Sequence, residues 1–161
     1  MNLQDLVNHA TDKNNFQTIQ DYIYFSRNYL QFIITGLQAR IVSQNENYYH
    51  FYQYQNDGYY NITRPINTHL MYDPETFDIT SVQFMQILEQ LRDRQLPDDN
   101  LRQVLVCSIY TLQQTIGATL DALPAGKSNQ ARKVNGDLFE RLIRLLIVWI
   151  KFLSISSYII N

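Results

Sequence analysis

The stretch Ile19-Gln-Asp-Tyr-Ile-Tyr-Phe-Ser-Arg-Asn-Tyr-Leu-Gln-Phe-Ile-Ile-Thr-Gly-Leu-Gln-Ala-Arg-Ile41 sets the fold class. Ile19, Tyr22, Ile23, Ser26, Leu30, Ile33, Ile34, Leu37 and Ile41 recur at intervals of three and four, which places them on one face of a helix. The spacing predicts a helix from about Phe16 to Val42. Upstream, Leu3, Leu6, Val7 and Ala10 make a shorter stripe of the same kind. Downstream, Val82, Met85, Leu88 and Leu91 form a third stripe, with Thr80 as its expected N-cap. Leu101, Val104, Leu105, Ser108, Ile109, Leu112 and Ile116 form a fourth, opened by Pro97, Asp98 and Asp99, which suit the first turn and its dipole. Phe139, Leu142, Ile143, Leu146 and Ile150 form the last, with a helix start expected near Asn135 to Asp137.

The region between the second and third stripes reads differently. Asn56-Asp57-Gly58 is a turn signal, flanked by Tyr49, Phe51 and Tyr52 before it and Tyr59, Tyr60 and Ile62 after it. Either a short hairpin or an irregular loop fits, followed by a long connection punctuated by Arg64-Pro65 and Asp73-Pro74. The expected architecture is one mainly α domain over residues 1–161, a bundle of four or five helices with at most a small β-hairpin near Asn56–Gly58.

Composition excludes several function classes. With 161 residues and 45% hydrophobic content, the chain can bury a core without staples. Its formal charge of −2 argues against binding nucleic acid through bulk charge. The single cysteine, Cys107, lies in an apolar run and reads as a buried thiol. One Cys and three scattered histidines, His9, His50 and His69, make neither a disulfide framework nor a zinc site. The histidines read as surface or loop residues, and the aromatic run Tyr48–Tyr60, poor in Lys and Arg, as packing rather than base stacking. The first residues lack a basic segment leading into an apolar one, so the expected location is cytoplasmic. Leu142 to Ile160 is apolar, but Arg144 and Lys151 interrupt it, and a buried helix is expected there rather than a membrane span.

Two segments invite chemistry. Gly126-Lys127-Ser128 resembles the close of a phosphate-binding loop, but that loop needs a glycine five positions earlier, where Asp121 stands. Lys127, Ser128, Arg132 and Lys133 form a basic, polar segment leading into the last stripe, where an anion such as a DNA phosphate is expected to bind.

The run from Ser128 through Arg132, Lys133, Gly136, Phe139 and Glu140 resembles a stretch of several type II restriction endonucleases of the PD-(D/E)XK nuclease superfamily. There, Ser-x-x-x-Arg-Lys opens onto a Gly-x-x-Phe-Glu helix ahead of the catalytic sheet. The resemblance covers about 20 residues, Gly126 to Ile147. It implies double-stranded DNA as partner, backbone contacts from Lys127, Ser128, Arg132 and Lys133, an auxiliary active-site role for Glu140, and Mg2+ in the complete enzyme. The family's catalytic Asp and its acid-x-Lys pair have no counterpart here: Pro97-Asp98 matches the start of the motif, and no Glu-x-Lys or Asp-x-Lys follows. The chain is therefore expected to be the N-terminal helical part of a larger, truncated endonuclease, inactive by itself as a site-specific deoxyribonuclease. The alternative is a non-enzymatic helical interaction or structural module. A homodimer is compatible with either.

Overall fold

The computed structural model describes the backbone of residues 1–35, 39–44, 48–55, 58–67, 70–123 and 125–159, and the side chains of 1–32, 70–123 and 126–151. Five α-helices appear among these residues: α1 (Leu3–Thr11), α2 (Ile19–Thr35), α3 (Pro74–Arg92), α4 (Asp99–Leu120) and α5 (Ser128–Ile159). The expected mainly helical bundle is what the chain forms.

Local chemistry explains where the helices start. Asn2 opens α1: its side-chain oxygen accepts from the Asp5 N–H at 2.8 Å, while the Asp5 carboxylate accepts from the Asn2 N–H. This reciprocal box satisfies two backbone donors that a helix end leaves unpaired. Asp73 caps α3 by accepting from the Thr76 N–H at 2.8 Å, with Pro74 in the first turn. Those bonds hold the Asp73 carboxyl below its ordinary range. Asp98 caps α4 in the same way, accepting from the Leu101 N–H. Thr80 is thus not a cap. It lies inside α3, buried, and its hydroxyl donates back to the Thr76 carbonyl. The face of α3 turned to the core is Phe77, Ser81, Phe84, Ile87 and Leu88, and Val82 is exposed.

Helices α2 and α4 run through the centre, and α1, α3 and α5 each pack against both. On α2, Phe25, Tyr29 and Phe32 are buried along with the expected stripe of Ile19, Tyr22, Ile23, Ser26 and Leu30, so the helix is enclosed on most sides. The α4 face is lined by Ser108, Thr111, Thr115 and Thr119 among Leu112 and Ile116. Cys107 is buried there as expected.

The second helix ends at Thr35. Ile41, expected on its stripe, instead belongs to a strand, β1 (Ala39–Gln44), and Leu37 falls outside the described residues. β1 pairs antiparallel with β2 (Tyr48–Gln55), which pairs antiparallel with β3 (Gly58–Asn67), giving the order β1-β2-β3. The Gln55↔Gly58 pairing closes the hairpin expected at Asn56–Gly58, and Asn56 and Asp57 themselves lie outside the described residues. β3 lies beside α4.

The last helix differs most from expectation. It begins at Ser128, seven residues before Asn135, after a 3-10 turn over Ala125–Lys127. Ala131, Val134, Leu138, Leu142 and Leu146 form its buried stripe. Phe139 sits at the exposed rim, 36% accessible, rather than on that face. Starting early carries α5 through Asn135 and Gly136, both weak helix formers. Gly136 is exposed, and a Cβ built on it meets nothing within 4 Å. An exposed glycine inside a helix costs about 1 kcal/mol relative to alanine. Gly136→Ala is therefore expected to raise the thermal midpoint by about 2–4 °C in a calorimetric or circular-dichroism melt. An unchanged or lower midpoint would show that the glycine serves the fold.

Candidate nucleic-acid interface

Helix α5 and the turn before it carry six of the 13 Lys and Arg residues: Lys127, Arg132, Lys133, Arg141, Arg144 and Lys151. They carry two of the 15 Asp and Glu residues, Asp137 and Glu140. An acidic chain thus concentrates positive charge on one element.

The predicted site residues fall on that element as follows. Lys127 closes the 3-10 turn, and Ser128 begins the helix. Both are exposed, as are Asn129 and Gln130. Arg132 and Lys133 lie in the second turn of α5, not in a loop, and both point away from the core, because Ala131 and Val134 take the buried positions beside them. Placing them on a helix fixes their spacing on its solvent side. It also sets them beside the helix N-terminus, whose unpaired N–H groups and dipole favour an anion.

The two carboxylates are both engaged. Asp137 is ion-paired with Lys13, which reaches it from the 3-10 turn Lys13–Asn15 that follows α1. The hydrogen bond from Lys13 holds the Asp137 carboxyl below its ordinary range, helped by the charges of Lys13, Lys133 and Arg141. Arg141 in turn donates to the Lys13 carbonyl at 2.8 Å. Below them the Tyr22 hydroxyl, buried in α2, donates to the Leu138 carbonyl at 2.6 Å. Burial raises the Tyr22 hydroxyl's pKa well above the ordinary phenol value, so it stays a neutral donor. Lys13 and Arg141 are absent from the sequence-level site. Lys13 is 124 residues from Asp137, and no local pattern announces such a contact.

Glu140 is exposed and paired with Arg144 at 2.5 Å, one helical turn on. The order Glu then Arg at this spacing is the favourable one, contributing about 0.3–0.5 kcal/mol at most at such exposure. Magnesium takes several oxygen ligands in a tight octahedron. A single carboxylate engaged by a guanidinium does not fit that ion. Among the described residues, no group of three or more His, Cys, Asp or Glu side chains is arranged to hold a metal. Nor is any helix, among those residues, long and apolar enough to cross a membrane.

Of the three histidines, His50 belongs to β2 and His69 lies outside the described residues. His9 is not the surface residue expected. It sits in the last turn of α1 with its ring 5.5 Å from those of Phe16 and Phe25 and 6.1 Å from that of Tyr24. No protein-family model, curated protein or solved structure matches the chain.

Desolvation among those rings lowers the His9 pKa from 6.5, against the opposing charges of Asp21 and Asp12. A depressed pKa means that the unfolded chain takes the proton more readily than the folded one. The His9 contribution to stability is thus complete above pH 6.5 and declines as the pH falls below it. Urea unfolding at stepped pH should show this decline between neutrality and about pH 5, and His9→Phe should flatten it. Asp73 and Asp137, with pKa values lowered from 3.8, act in a separate and more acidic window. A wild-type profile already flat above about pH 5 would contradict the assignment.

Proposed function

We propose that the chain is a helical module that holds duplex DNA by its phosphate backbone, using the first turns of α5. The observation that supports this most directly is the state of the charges there. Lys127, Arg132 and Lys133 are exposed, while the two carboxylates on the same helix are held by Lys13 and Arg144. Backbone contacts of this kind position a protein on a duplex without reading its sequence. In the fuller form of the proposal, the module is the helical part of a restriction-endonuclease-like protein of the PD-(D/E)XK type. That form rests on the run Ser128, Arg132, Lys133, Gly136, Phe139 and Glu140 alone. In it Glu140 lines the edge of the DNA surface, and the Mg2+-binding acids come from elsewhere.

A second reading, a protein-interaction module, has its own support. Ile79 and Val82 on α3, and Ile147 and Val148 on α5, are large apolar side chains at 44–63% exposure. Apolar atoms make up much of any folded protein's surface, so this exposure alone is less specific than the charge distribution.

Titration of a labelled DNA duplex at several salt concentrations tests the proposal. Wild-type binding should weaken with salt, and a triple alanine variant at Lys127, Arg132 and Lys133 should show a slope shallower by about 2–3 units, near 0.9 for each phosphate no longer neutralised. Equal binding by both proteins, or none by either at low salt, would favour the protein-interaction reading. Glu140→Gln makes a second test. It removes a negative charge and releases Arg144, so affinity should rise about two- to fivefold, the scale of one surface charge pair. Abolished binding in that variant would instead give the carboxylate a direct part in holding the ligand.

A further inference from the structure

We infer that Gly136 marks the point where the DNA sugar–phosphate backbone lies against α5, a contact that rests on the DNA-binding reading. Inside a helix, glycine is less favourable than alanine, and its uses include a left-handed backbone, a neighbour that leaves no room for a side chain, and the close approach of a ligand. The first two do not apply here. Gly136 has no positive φ, and a Cβ at its position would meet open space. Gly117, the other glycine within a described α-helix, is buried in α4. For the exposed Gly136 the use that remains is the close approach of a ligand.

The surroundings select the partner. On a helix surface the neighbours of a residue are those three and four positions away. For Gly136 these are Arg132 and Lys133 on one side and Phe139 and Glu140 on the other. Arg132 and Lys133 are both exposed. Glu140 is held by Arg144, and the adjacent Asp137 by Lys13. The bare Cα therefore lies within reach of two cations, with each nearby carboxylate already matched by a positive charge. A phosphodiester resting on Gly136 lies closer to the helix axis than any other residue would permit, and within the span of both basic side chains. A second copy docked by the same face would bring Arg132 and Lys133 against their own kind.

The test compares wild type, Gly136→Ala and Gly136→Gln in binding a short labelled DNA duplex, with oligomeric state followed by sedimentation. Both variants keep every charge, so the salt slope should stay at the wild-type value while affinity falls, by about tenfold for alanine and further for glutamine. The alanine variant should bind more weakly although its helix is the more stable. That combination separates a direct contact from damage to the fold. If both variants bind as wild type does while the triple variant at Lys127, Arg132 and Lys133 fails to bind, the inference falls and the DNA-binding reading stands. If wild type binds no duplex, both fall. A wild-type dimer that Gly136→Gln dissociates, with DNA affinity unchanged, would make a second copy the occupant and overturn the inference.

Discussion

The bundle depends on the seam between α2 and α4, and at its centre Ser26 and Thr115 hydroxyls meet at 2.7 Å. Thr115 donates its own proton to the Leu112 carbonyl, so Ser26 is the donor between them. Both residues are fully buried. Hydroxyls in that position would cost free energy if left unpaired. Thr119 donates to the Thr115 carbonyl at 2.8 Å, and Thr111 accepts from the Tyr72 N–H at 3.1 Å, so these threonines are tied to backbone, while the buried Ser108 hydroxyl on the same face has no hydrogen-bond partner among the described residues. The small side chains bring the two central helices together. The Tyr72 bond also ties the residues that lead into α3 to α4, one residue before the cap at Asp73. The outer helices then cover what this seam leaves exposed.

That seam is only half legible in the sequence. A search for apolar periodicity finds Leu112 and Ile116 but passes over Thr111, Thr115 and Thr119, because their hydroxyls count as polar until their partners are known. In α1, by contrast, Leu3, Leu6, Val7 and Ala10 are all apolar and all buried, and the stripe read from sequence is the stripe in the structure. At α3, Asp73-Pro74 carries two signals at once. Proline after a polar residue suggests a turn, yet aspartate followed by proline also makes a cap and first turn. In the folded chain the Thr76 N–H and hydroxyl both donate to the Asp73 carboxylate, which makes it the cap. Ile41 shows the same ambiguity at the end of α2. Intervals of three and four from Ile34 through Leu37 fit a helix, while the Ile41-Val42 pair is β-branched and suits a strand edge equally well.

In α5, local preference and burial oppose one another. Asn135-Gly136 reads as a break, and on propensity the helix would start after it. Ala131 and Val134, however, continue the buried series of Leu138, Leu142 and Leu146 backward by two turns. Burying those two side chains outweighs a penalty of about 1 kcal/mol for the glycine. The consequence for the candidate site is geometric. A loop would have left Lys127, Arg132 and Lys133 without fixed spacing. A helix fixes Arg132 and Lys133 on the solvent side of a rigid element whose other side is locked to the core by Leu138 and the Tyr22 hydroxyl, with Lys127 in the turn just before it.

Sequence reading locates the positive residues of this surface but not what balances the negative ones. Glu140 and Asp137 stand in the chain as acids within a basic run, and the restriction-endonuclease resemblance implies an auxiliary active-site place for Glu140 alone. Folding gives each a cation: Arg144 by helical spacing, and Lys13 by the docking of the turn after α1. The Arg144 pairing is readable from the interval of four, whereas the Lys13 pairing depends on α1 lying against the bundle and on Arg141 holding the Lys13 carbonyl. Once both acids are compensated, the basic residues of α5 are opposed by no unmatched carboxylate on their own helix. The net charge of the chain, slightly negative, then says little about this face. An anionic polymer responds to the local field within about a Debye length of 8–10 Å, not to the sum over the molecule.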